Sequence, residues 1–489
     1  MTKGTKVGGP GKFRQFVVAL APNILCLSYG LSIGWQSPMT PLLQSTDSPA
    51  VSEPMTDDEV SWLTAIMCLT GAIVSLVIGA IAERCGRKLA CCMAALPFSV
   101  CWMLIIFASE HMHVFVSRFF AGLGGSMSLY VVPRYVSEIS SDDIRGMLSS
   151  LLVLLLNGGI LLGYILGAFF SFRVFAIIAF AIALLYFVFV LFLPESPVYL
   201  VQRNRLPEAA RSLRSLRAGH EPTVQRELSR LQAEVKELYV SGKSIGLSDL
   251  VRDKATVKGL IITLGLFSAQ QFCGIFAMIS YTEAIFRMSG SSLSPNTSTI
   301  IVGAIQLFGS YLSTSLMERL GRRPLLLMSS SGMCACHYIL GVFCYLQTLN
   351  YDISSFTWIP IVTLSVYMIL YSLGLGPGPY VVSSEILSRD VSTLILSMGL
   401  FSVWISAFLI VKFFPSMVTL LGMFGCFFLL GTFCAIIFAF VFTLIPETKG
   451  QPRQLILDRL NGLSSSHNEN RYITSSNIVD KTMPLPEQI

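Results

Sequence analysis

The fold is decided by the stretch Gly79-Ala80-Ile81-Ala82-Glu83-Arg84-Cys85-Gly86-Arg87-Lys88, a charged turn between two long apolar segments. A related turn, Glu318-Arg319-Leu320-Gly321-Arg322-Arg323, follows later, and Pro194-Glu195-Ser196 likewise returns as Pro446-Glu447-Thr448. Both pairs are offset by about 240 residues, which is the mark of a duplicated unit. The chain is therefore predicted to consist of two related halves.

The composition predicts a membrane protein. Of 489 residues, 53% are hydrophobic and 13% are charged, whereas a soluble protein carries about 25% charged residues. The apolar residues form runs of about twenty, the length that a helix needs to cross the hydrocarbon layer. Helices also satisfy every backbone group there. The runs predict twelve spans, near Phe16–Gly34, Glu59–Ala82, Leu89–Ala108, Val114–Val132, Met147–Phe170, Val174–Leu193, Thr256–Phe286, Thr299–Met317, Leu325–Leu346, Thr357–Val382, Leu394–Phe414 and Phe424–Ile445.

These features predict an all-α membrane protein, with twelve transmembrane helices in two pseudo-symmetric six-helix halves and a cytosolic helical segment between them. Leu206–Leu216 and Thr223–Tyr239 have helical periodicity with charged outer faces, so they are expected to form surface helices. The tail from Gln451 onward is polar and is expected to be disordered. The predicted units are a cytosolic N-terminus (1–14), an N-terminal bundle (15–200), a cytosolic linker (201–255), a C-terminal bundle (256–446) and a cytosolic tail (447–489).

The distribution of Lys and Arg predicts the orientation. Connections after even-numbered spans hold bases such as Arg87 and Arg322, whereas the first long loop has four acids and no base. Because basic loops stay in the cytosol, both termini are expected there. The net charge of +6 mostly records this bias, so it does not indicate nucleic-acid binding. The plasma membrane is the expected location, with an internal membrane as the alternative.

The sequence holds one N-x-[ST] sequon, Asn296-Thr297-Ser298. It falls in a predicted outside loop, so Asn296 is the expected site of N-glycosylation. The twelve cysteines lie in the predicted spans or on the inner side, which implies no disulfide framework. Cys91-Cys92 and Cys334-x-Cys336 lie in apolar helices without partner ligands, so we interpret them as packing residues. No metal and no cofactor are expected.

Further motifs follow the two repeated turns in a fixed order along the chain. The chain resembles the sugar porter family of the major facilitator superfamily over essentially its whole length. Trp35-Gln36-Ser37-Pro38, Asn157 and Gln306 make it most similar to the insect facilitated trehalose transporters and their hexose-carrying relatives. The other motifs that carry this resemblance are Pro133-x-Tyr135-x-Ser137-Glu138-Ile139, Arg145-Gly146, Gln270-Gln271-x-x-Gly274-Ile275 and Gly376-Pro377-x-Pro379.

The residue types in these motifs suit a neutral, hydroxylated substrate. A sugar hydroxyl both donates and accepts hydrogen bonds, and so does the side-chain amide of Gln or Asn. An anionic substrate would instead call for Arg or Lys. Polar side chains in spans can also simply join helices. The resemblance implies substrate contacts for Gln270, Gln271, Gln306, Phe276, Tyr380, Asn157 and Trp404.

Other residues are expected to serve as gates. The bases after spans two and eight can pair with carboxylates at the ends of spans four and ten. Such pairs are expected to hold the two halves together on the inner side when the carrier faces out, and to break when it faces in. Proline lacks a backbone donor, so Gly376-Pro377-x-Pro379 is expected to break its helix and to serve as a hinge. Arg118 needs a partner within its span and is expected to brace the charge network. The expected gating residues are Arg87, Glu138, Arg145, Arg322, Glu385, Tyr281, Gly376, Pro377 and Pro379.

The chain departs from the family at several positions in the predicted cavity. Phe276 stands where relatives place Asn, and Tyr380 stands where they place Trp. Val153 and Ala407 replace residues that are usually polar. Each lost partner costs a hydroxylated ligand about 1–3 kcal/mol, so these departures bear on which substrate is bound.

The sequence predicts facilitated diffusion. The first span holds no Asp or Glu, and the chain holds no GxxxxGK[ST] nucleotide-binding motif. His337 is a lone ring in span nine and is interpreted as a packed or helix-linking residue rather than a proton relay. We therefore expect a uniporter for trehalose or a hexose, monomeric as a functional unit and not an enzyme. The alternatives are a carrier of another neutral, polyol-like substrate and a nutrient sensor that does not transport.

Overall fold

The computed structural model describes residues 11–48, 53–141, 143–240, 250, 253–288, 293–352, 354–387, 389–451 and 453–461. No β-strand occurs in these ranges, and the described chain is predominantly helical. The first half contains α1 (Lys12–Gly34), α2 (Gln36–Leu43), α3 (Asp57–Cys85), α4 (Arg87–Ile106), α5 (His111–Ile139), α6 (Arg145–Phe169) and α7 (Phe172–Leu191). The connecting helices are α8 (Pro197–Gln202), α9 (Leu206–Leu216) and α10 (Glu221–Val240). The second half contains α11 (Lys254–Phe272), α12 (Ile275–Ser280), α13 (Thr282–Met288), α14 (Pro295–Leu320), α15 (Arg322–Thr348), α16 (Ile359–Leu373), α17 (Gly378–Ile386) and α18 (Arg389–Leu444), and α19 (Arg453–Asn461) follows.

Helix α3 illustrates how the sequence defines a span. Thr56 caps its N-terminus in a reciprocal pair of hydrogen bonds with Glu59, and three acidic residues occupy the first turn. These carboxylates stabilise the N-terminus of the helix because the helix dipole is positive there. The helix runs for 29 residues, about 44 Å at 1.5 Å per residue, so it is longer than a bilayer core is thick.

Ten helical stretches of the described chain are long and apolar enough to cross a membrane. One of them contains a kink at Gly422, where φ is 70° and two helices join within α18. Helix α14, with 26 residues, is not among the ten stretches. The structure confirms an all-α membrane fold, and the count of twelve spans is reached only when α14 is included.

Two predicted spans are broken rather than continuous. The stretch Thr256–Phe286 was predicted as one span, but it divides at Gly274, where φ is 91° and only glycine is unstrained. The stretch Thr357–Val382 divides between Leu373 and Gly378, as the Gly-Pro sequence predicts. A proline at position 377 cannot donate into the helical ladder. Both breaks lie in the second half.

The two halves meet along two seams. Helix α3 packs against α18, and α6 packs against α14. Within the first half, α1 lies along α6 so closely that a Cβ at Gly30 would come within 1.9 Å of the Leu156 carbonyl oxygen. Because glycine has no side chain, Gly30 allows the backbones of α1 and α6 to come into contact.

The segments outside the bundle differ partly from the predictions. Helices α9 and α10 confirm the predicted surface helices. The prediction of a disordered tail is wrong for its first part, because α19 is a helix with Leu455, Ile456 and Leu460 buried. The Asn461 side-chain oxygen accepts a hydrogen bond from the Ala255 backbone N–H at 2.9 Å, which joins α19 to α11. Residues 462–489 lie outside the described residues.

Candidate functional site

The predicted sugar-binding glutamines lie on the last turn of α11, directly before the break at Gly274. The Gln270 Nε2 atom donates to the Gly376 carbonyl oxygen at 2.7 Å, inside the break between α16 and α17. Gln271 is 6% exposed, and its Oε1 atom is buried without a hydrogen-bond partner among the described residues. A buried acceptor without a partner costs free energy, so Gln271 retains hydrogen-bonding capacity for a ligand.

Gln306 and Asn157 lie together across the boundary between the halves. Gln306 Nε2 donates to Asn157 Oδ1 at 3.2 Å, and Asn157 Nδ2 donates to the Ser310 hydroxyl at 2.6 Å. Ser310 in turn donates to the backbone carbonyl oxygen of Gln306 at 3.0 Å, which closes the ring through the Gln306 main chain. The three side chains are buried. In this conformation they form a closed ring of hydrogen bonds that joins α6 to α14.

The predicted aromatic residues have different surroundings. Trp404 is buried and lies against Gly71 of the other half, where a Cβ would come within 2.5 Å of its ring. Tyr380 packs its ring edge-to-face on Phe267, with centroids 4.9 Å apart, and stays 39% exposed. Phe276 lies on α12, two residues after Gly274, and is buried. Phe276 therefore belongs to the segment beyond the break that follows the glutamines.

One end of the bundle, the arginine end, carries the charged turns around Arg87 and Arg322. The Arg87 guanidinium holds both oxygens of Glu138, with Nε to Oε2 at 3.0 Å and Nη2 to Oε1 at 3.0 Å. The Glu195 carboxylate accepts hydrogen bonds from the backbone N–H groups of Arg87 and Lys88 at 3.0 and 3.1 Å. Glu195 thereby satisfies donors that have no partner inside α4.

The second half repeats this arrangement. Arg322 Nη2 contacts Glu385 Oε1 at 2.9 Å, and Glu447 accepts hydrogen bonds from the N–H groups of Arg322 and Arg323, both at 3.1 Å. The predicted pairing partners are therefore correct. In this conformation neither pair joins the two halves, and the expectation that such pairs hold the halves together when the carrier faces out stays a prediction. Each turn lies beside a helix of its own half, so each ion pair stays within that half.

Arg118 does not brace the charge network as expected, and Arg145 binds backbone groups of its own half. Arg145 contacts the carbonyl oxygens of Ser137 and Ser140 at 3.3 and 3.4 Å. Arg118 donates to the Ser32 carbonyl oxygen at 2.9 Å and lies 4.0 Å from the centre of the Trp35 ring. Arg118 lies twenty residues before Glu138 on α5, about 30 Å away along the helix, which is too far for it to brace the network.

At the opposite end, hydrogen bonds cross between the halves. The Glu283 backbone N–H donates to the Ser37 hydroxyl at 3.0 Å, and the Tyr164 hydroxyl donates to the Ile279 carbonyl oxygen at 2.9 Å. Tyr281 stacks on Phe414 with ring centroids 5.3 Å apart. A cavity of about 240 Å³ remains between α2, the start of α3 and helices α12 and α13. The contacts close this end of the bundle.

A further contact at the opposite end was missed from the sequence. Lys412 Nζ contacts Asp58 Oδ1 at 2.5 Å and the Ser61 hydroxyl at 2.8 Å, and it lies 4.5 Å from the Trp62 ring centre. Lys412 belongs to the second half and the other three to the first. A lone lysine inside an apolar predicted span was the available signal, because a charge there needs a partner.

The sequon does not lie in a loop. Ser294 caps α14 and Pro295 occupies its first position, so Asn296 is an exposed residue of the first helical turn and Ser298 is buried. Proline at this position is preset for a helix, which is why the helix begins earlier than predicted.

Comparisons with known proteins agree with this architecture. Residues 18–457 match the family model described as "Sugar (and other) transporter". The chain is 32% identical to the facilitated trehalose transporter Tret1 of Apis mellifera ligustica over 452 residues, which cover 92% of this chain and 88% of that protein. It is 31% identical to the corresponding transporter of Bombyx mori over 437 residues, which cover 89% of this chain and 85% of that protein.

Solved structures show the same fold. The inward-open conformation of the xylose transporter XylE from E. coli superposes with a TM-score of 0.74 at 21% sequence identity, covering 91% of this chain and 99% of that one. Its partially occluded inward-open conformation gives a TM-score of 0.73 at 21% identity, covering 90% and 99%. The match to the family model over nearly the whole chain, and the identity to curated relatives, establish that this chain belongs to the sugar transporter family and is a transporter with the major facilitator fold rather than an enzyme.

Proposed function

We propose that the protein carries a neutral sugar, trehalose or a hexose, down its concentration gradient by alternating access. The single observation that carries this proposal is the buried Oε1 atom of the Gln271 side-chain amide, which has no hydrogen-bond partner among the described residues. It lies beside Gln270 at the end of a broken helix. An uncharged acceptor in this position suits a sugar hydroxyl.

Gln306 and Asn157 belong to the same proposed site. In the described conformation they bind each other rather than a ligand. Their amides exchange this mutual bond for bonds to sugar hydroxyls when the helices α6 and α14 separate. The exchange keeps the number of hydrogen bonds nearly constant, so it adds little to the barrier between conformations.

The gates work at the two ends of the bundle. Contacts across the halves close the opposite end, while the ion pairs of the arginine end remain inside each half. This arrangement supports a state that opens toward the arginine end. Basic residues mark the cytosolic side, so the described conformation faces the cytosol and both chain termini lie there.

Transport is proposed to be uncoupled from protons. In the first span, Ser32 faces Arg118, and its hydroxyl and carbonyl oxygen do not titrate. The carboxylates of Glu138 and Glu385 are held by arginines. The single chain is also proposed to be the functional unit, without a partner protein. Uptake into vesicles that a protonophore abolishes would contradict this proposal.

The decisive experiment is flux of radiolabelled sugars into proteoliposomes, screened over trehalose, glucose, fructose and neutral polyols. Gln271→Leu keeps the size of the side chain and removes its amide. The affinity for the sugar, measured from saturable uptake, is therefore expected to fall about ten- to a hundredfold. Gln225→Ala is the matched control, because Gln225 is an exposed amide on α10. Polyol uptake alone would favour the alternative carrier, and binding without flux would favour a sensor.

The plasma membrane and an outward-facing Asn296 complete the proposal. Asn296 is exposed at the first turn of α14, at the end of the bundle opposite the arginines. Both statements are tested by comparing the electrophoretic mobility of wild type and Asn296→Gln in protein from surface-biotinylated cells. The variant is expected to lose a glycan. A glycan that persists in this variant would contradict them.

A further inference from the structure

The break at Gly274 frees a backbone carbonyl within a candidate membrane-spanning stretch. The last carbonyl groups of a helix have no partner within that helix, and inside a bilayer water cannot replace one. At the end of α11 the Cys273 carbonyl oxygen is such a group. It is fully buried, so its hydrogen-bond partners must come from other helices.

Two side chains donate to this one oxygen. His337 Nε2 on α15 and the Tyr367 hydroxyl on α16 each lie 2.9 Å from the Cys273 carbonyl oxygen. The two rings contact each other edge-to-face, with centroids 4.9 Å apart, and both are 0% exposed. Because a carbonyl only accepts, His337 must carry its proton on Nε2. Its Nδ1 atom has no partner among the described residues.

The two broken helices also exchange partners. Gln270, just before the first break, donates to the Gly376 carbonyl oxygen inside the second break. Tyr367, on the helix before the second break, donates to the Cys273 carbonyl oxygen inside the first. Each break is therefore held by a side chain from the other broken span. These two hydrogen bonds link the breaks to each other.

We propose that His337 and Tyr367 are positioning residues for sugar binding: together they clamp the Cys273 carbonyl, and so fix the last turn of α11, with Gln271, relative to α12 and the second break. This inference rests on the proposed function, since Gln271 is the proposed ligand of the sugar. Neither His337 nor Tyr367 touches the sugar. They act through the geometry of the break.

The test compares variants that keep or remove the donors. His337→Phe keeps a ring without a donor, Tyr367→Phe removes only the hydroxyl, and His337→Gln restores an N–H donor. Tyr338→Phe is the matched control, because the Tyr338 hydroxyl lies 3.2 Å from Thr432 on the bundle surface and not at the break. For each variant, KM and Vmax of sugar uptake are measured in proteoliposomes, alongside Tm in detergent.

The expected result is a KM raised about three- to tenfold in His337→Phe and in Tyr367→Phe, with a larger rise in the double variant. His337→Gln is expected to restore the wild-type KM, and Tyr338→Phe to leave it unchanged. Unchanged KM in every variant, with a lower Tm, would overturn the clamp and leave only a structural tie. The absence of saturable uptake by the wild type would instead overturn the proposed function.

Discussion

Gln306 on α14 donates a hydrogen bond to Asn157 on α6 at 3.2 Å, and this contact joins the two halves of the protein inside the membrane. Both side chains were predicted from the sequence to bind sugar. Their mutual bond shows that, in the described conformation, these two amides link the halves of the protein.

The link predicts an energetic coupling between the two residues. Asn157→Ala and Gln306→Ala are each expected to lower the free energy of unfolding by about 1–3 kcal/mol, because each leaves a buried partner unsatisfied. The double variant is expected to lose less than the sum, with a coupling of about 0.5–1.5 kcal/mol. Thermal unfolding in detergent measures the cycle. Strictly additive losses would contradict the link.

Lys412 predicts the behaviour of the opposite end. Lys412→Met removes its contacts with Asp58 and Ser61 across the halves. Asp58 is 73% exposed, so water screens this pair and its loss costs roughly 1 kcal/mol. That cost shifts the equilibrium toward opening by about fivefold.

Cysteine labelling measures this shift. Ser280 lines the cavity at the opposite end, so Ser280→Cys reports its opening to a membrane-impermeant maleimide. Lys412→Met is expected to speed this labelling. Lys88→Met is the control, because Lys88 binds the Leu191 carbonyl oxygen at the arginine end. Equal labelling rates with and without Lys412 would exclude a role in closing this end.

Glu195 and Glu447 are predicted to support structure rather than binding. Each carboxylate accepts hydrogen bonds from two backbone N–H groups at a helix start, at 3.0–3.1 Å. Glu195→Ala and Glu447→Ala are each expected to cost about 1–3 kcal/mol of stability, with the KM of the remaining folded protein unchanged. Tm in detergent and KM in proteoliposomes separate the two effects. A raised KM at unchanged Tm would mean that these caps take part in binding.

Phe276 is predicted to tune specificity. It occupies α12 directly beyond the break and is buried, at a position where the family resemblance implies Asn. Phe276→Asn adds a donor and an acceptor beside the proposed site and is expected to raise hexose uptake per protein molecule. Uptake normalised to surface protein measures this effect. Unchanged uptake with a lower Tm would identify Phe276 as a packing residue.

The class of this protein and the plan of its fold were predictable from the amino-acid sequence. Apolar runs of membrane length gave the helices because no other regular element satisfies the backbone in lipid without closing a barrel. The ion-pair partners of Arg87 and Arg322 were also predictable, since a charged turn beside a helix end restricts which carboxylates it reaches.

The hydrogen bonds between spans were not predictable from the sequence, because they depend on the packing of the helices. Gln270 and Gly376 are 106 residues apart, and Cys273 lies 94 residues from Tyr367. The apolar pattern predicts that a segment lies in the membrane, but it does not predict which buried donor binds which acceptor. That choice depends on how the helices pack. The sequence therefore predicted a set of candidate binding side chains. Packing decided that the Gln271 side-chain oxygen has no partner among the described residues, while Gln270, Gln306 and Asn157 are bound to other parts of the protein.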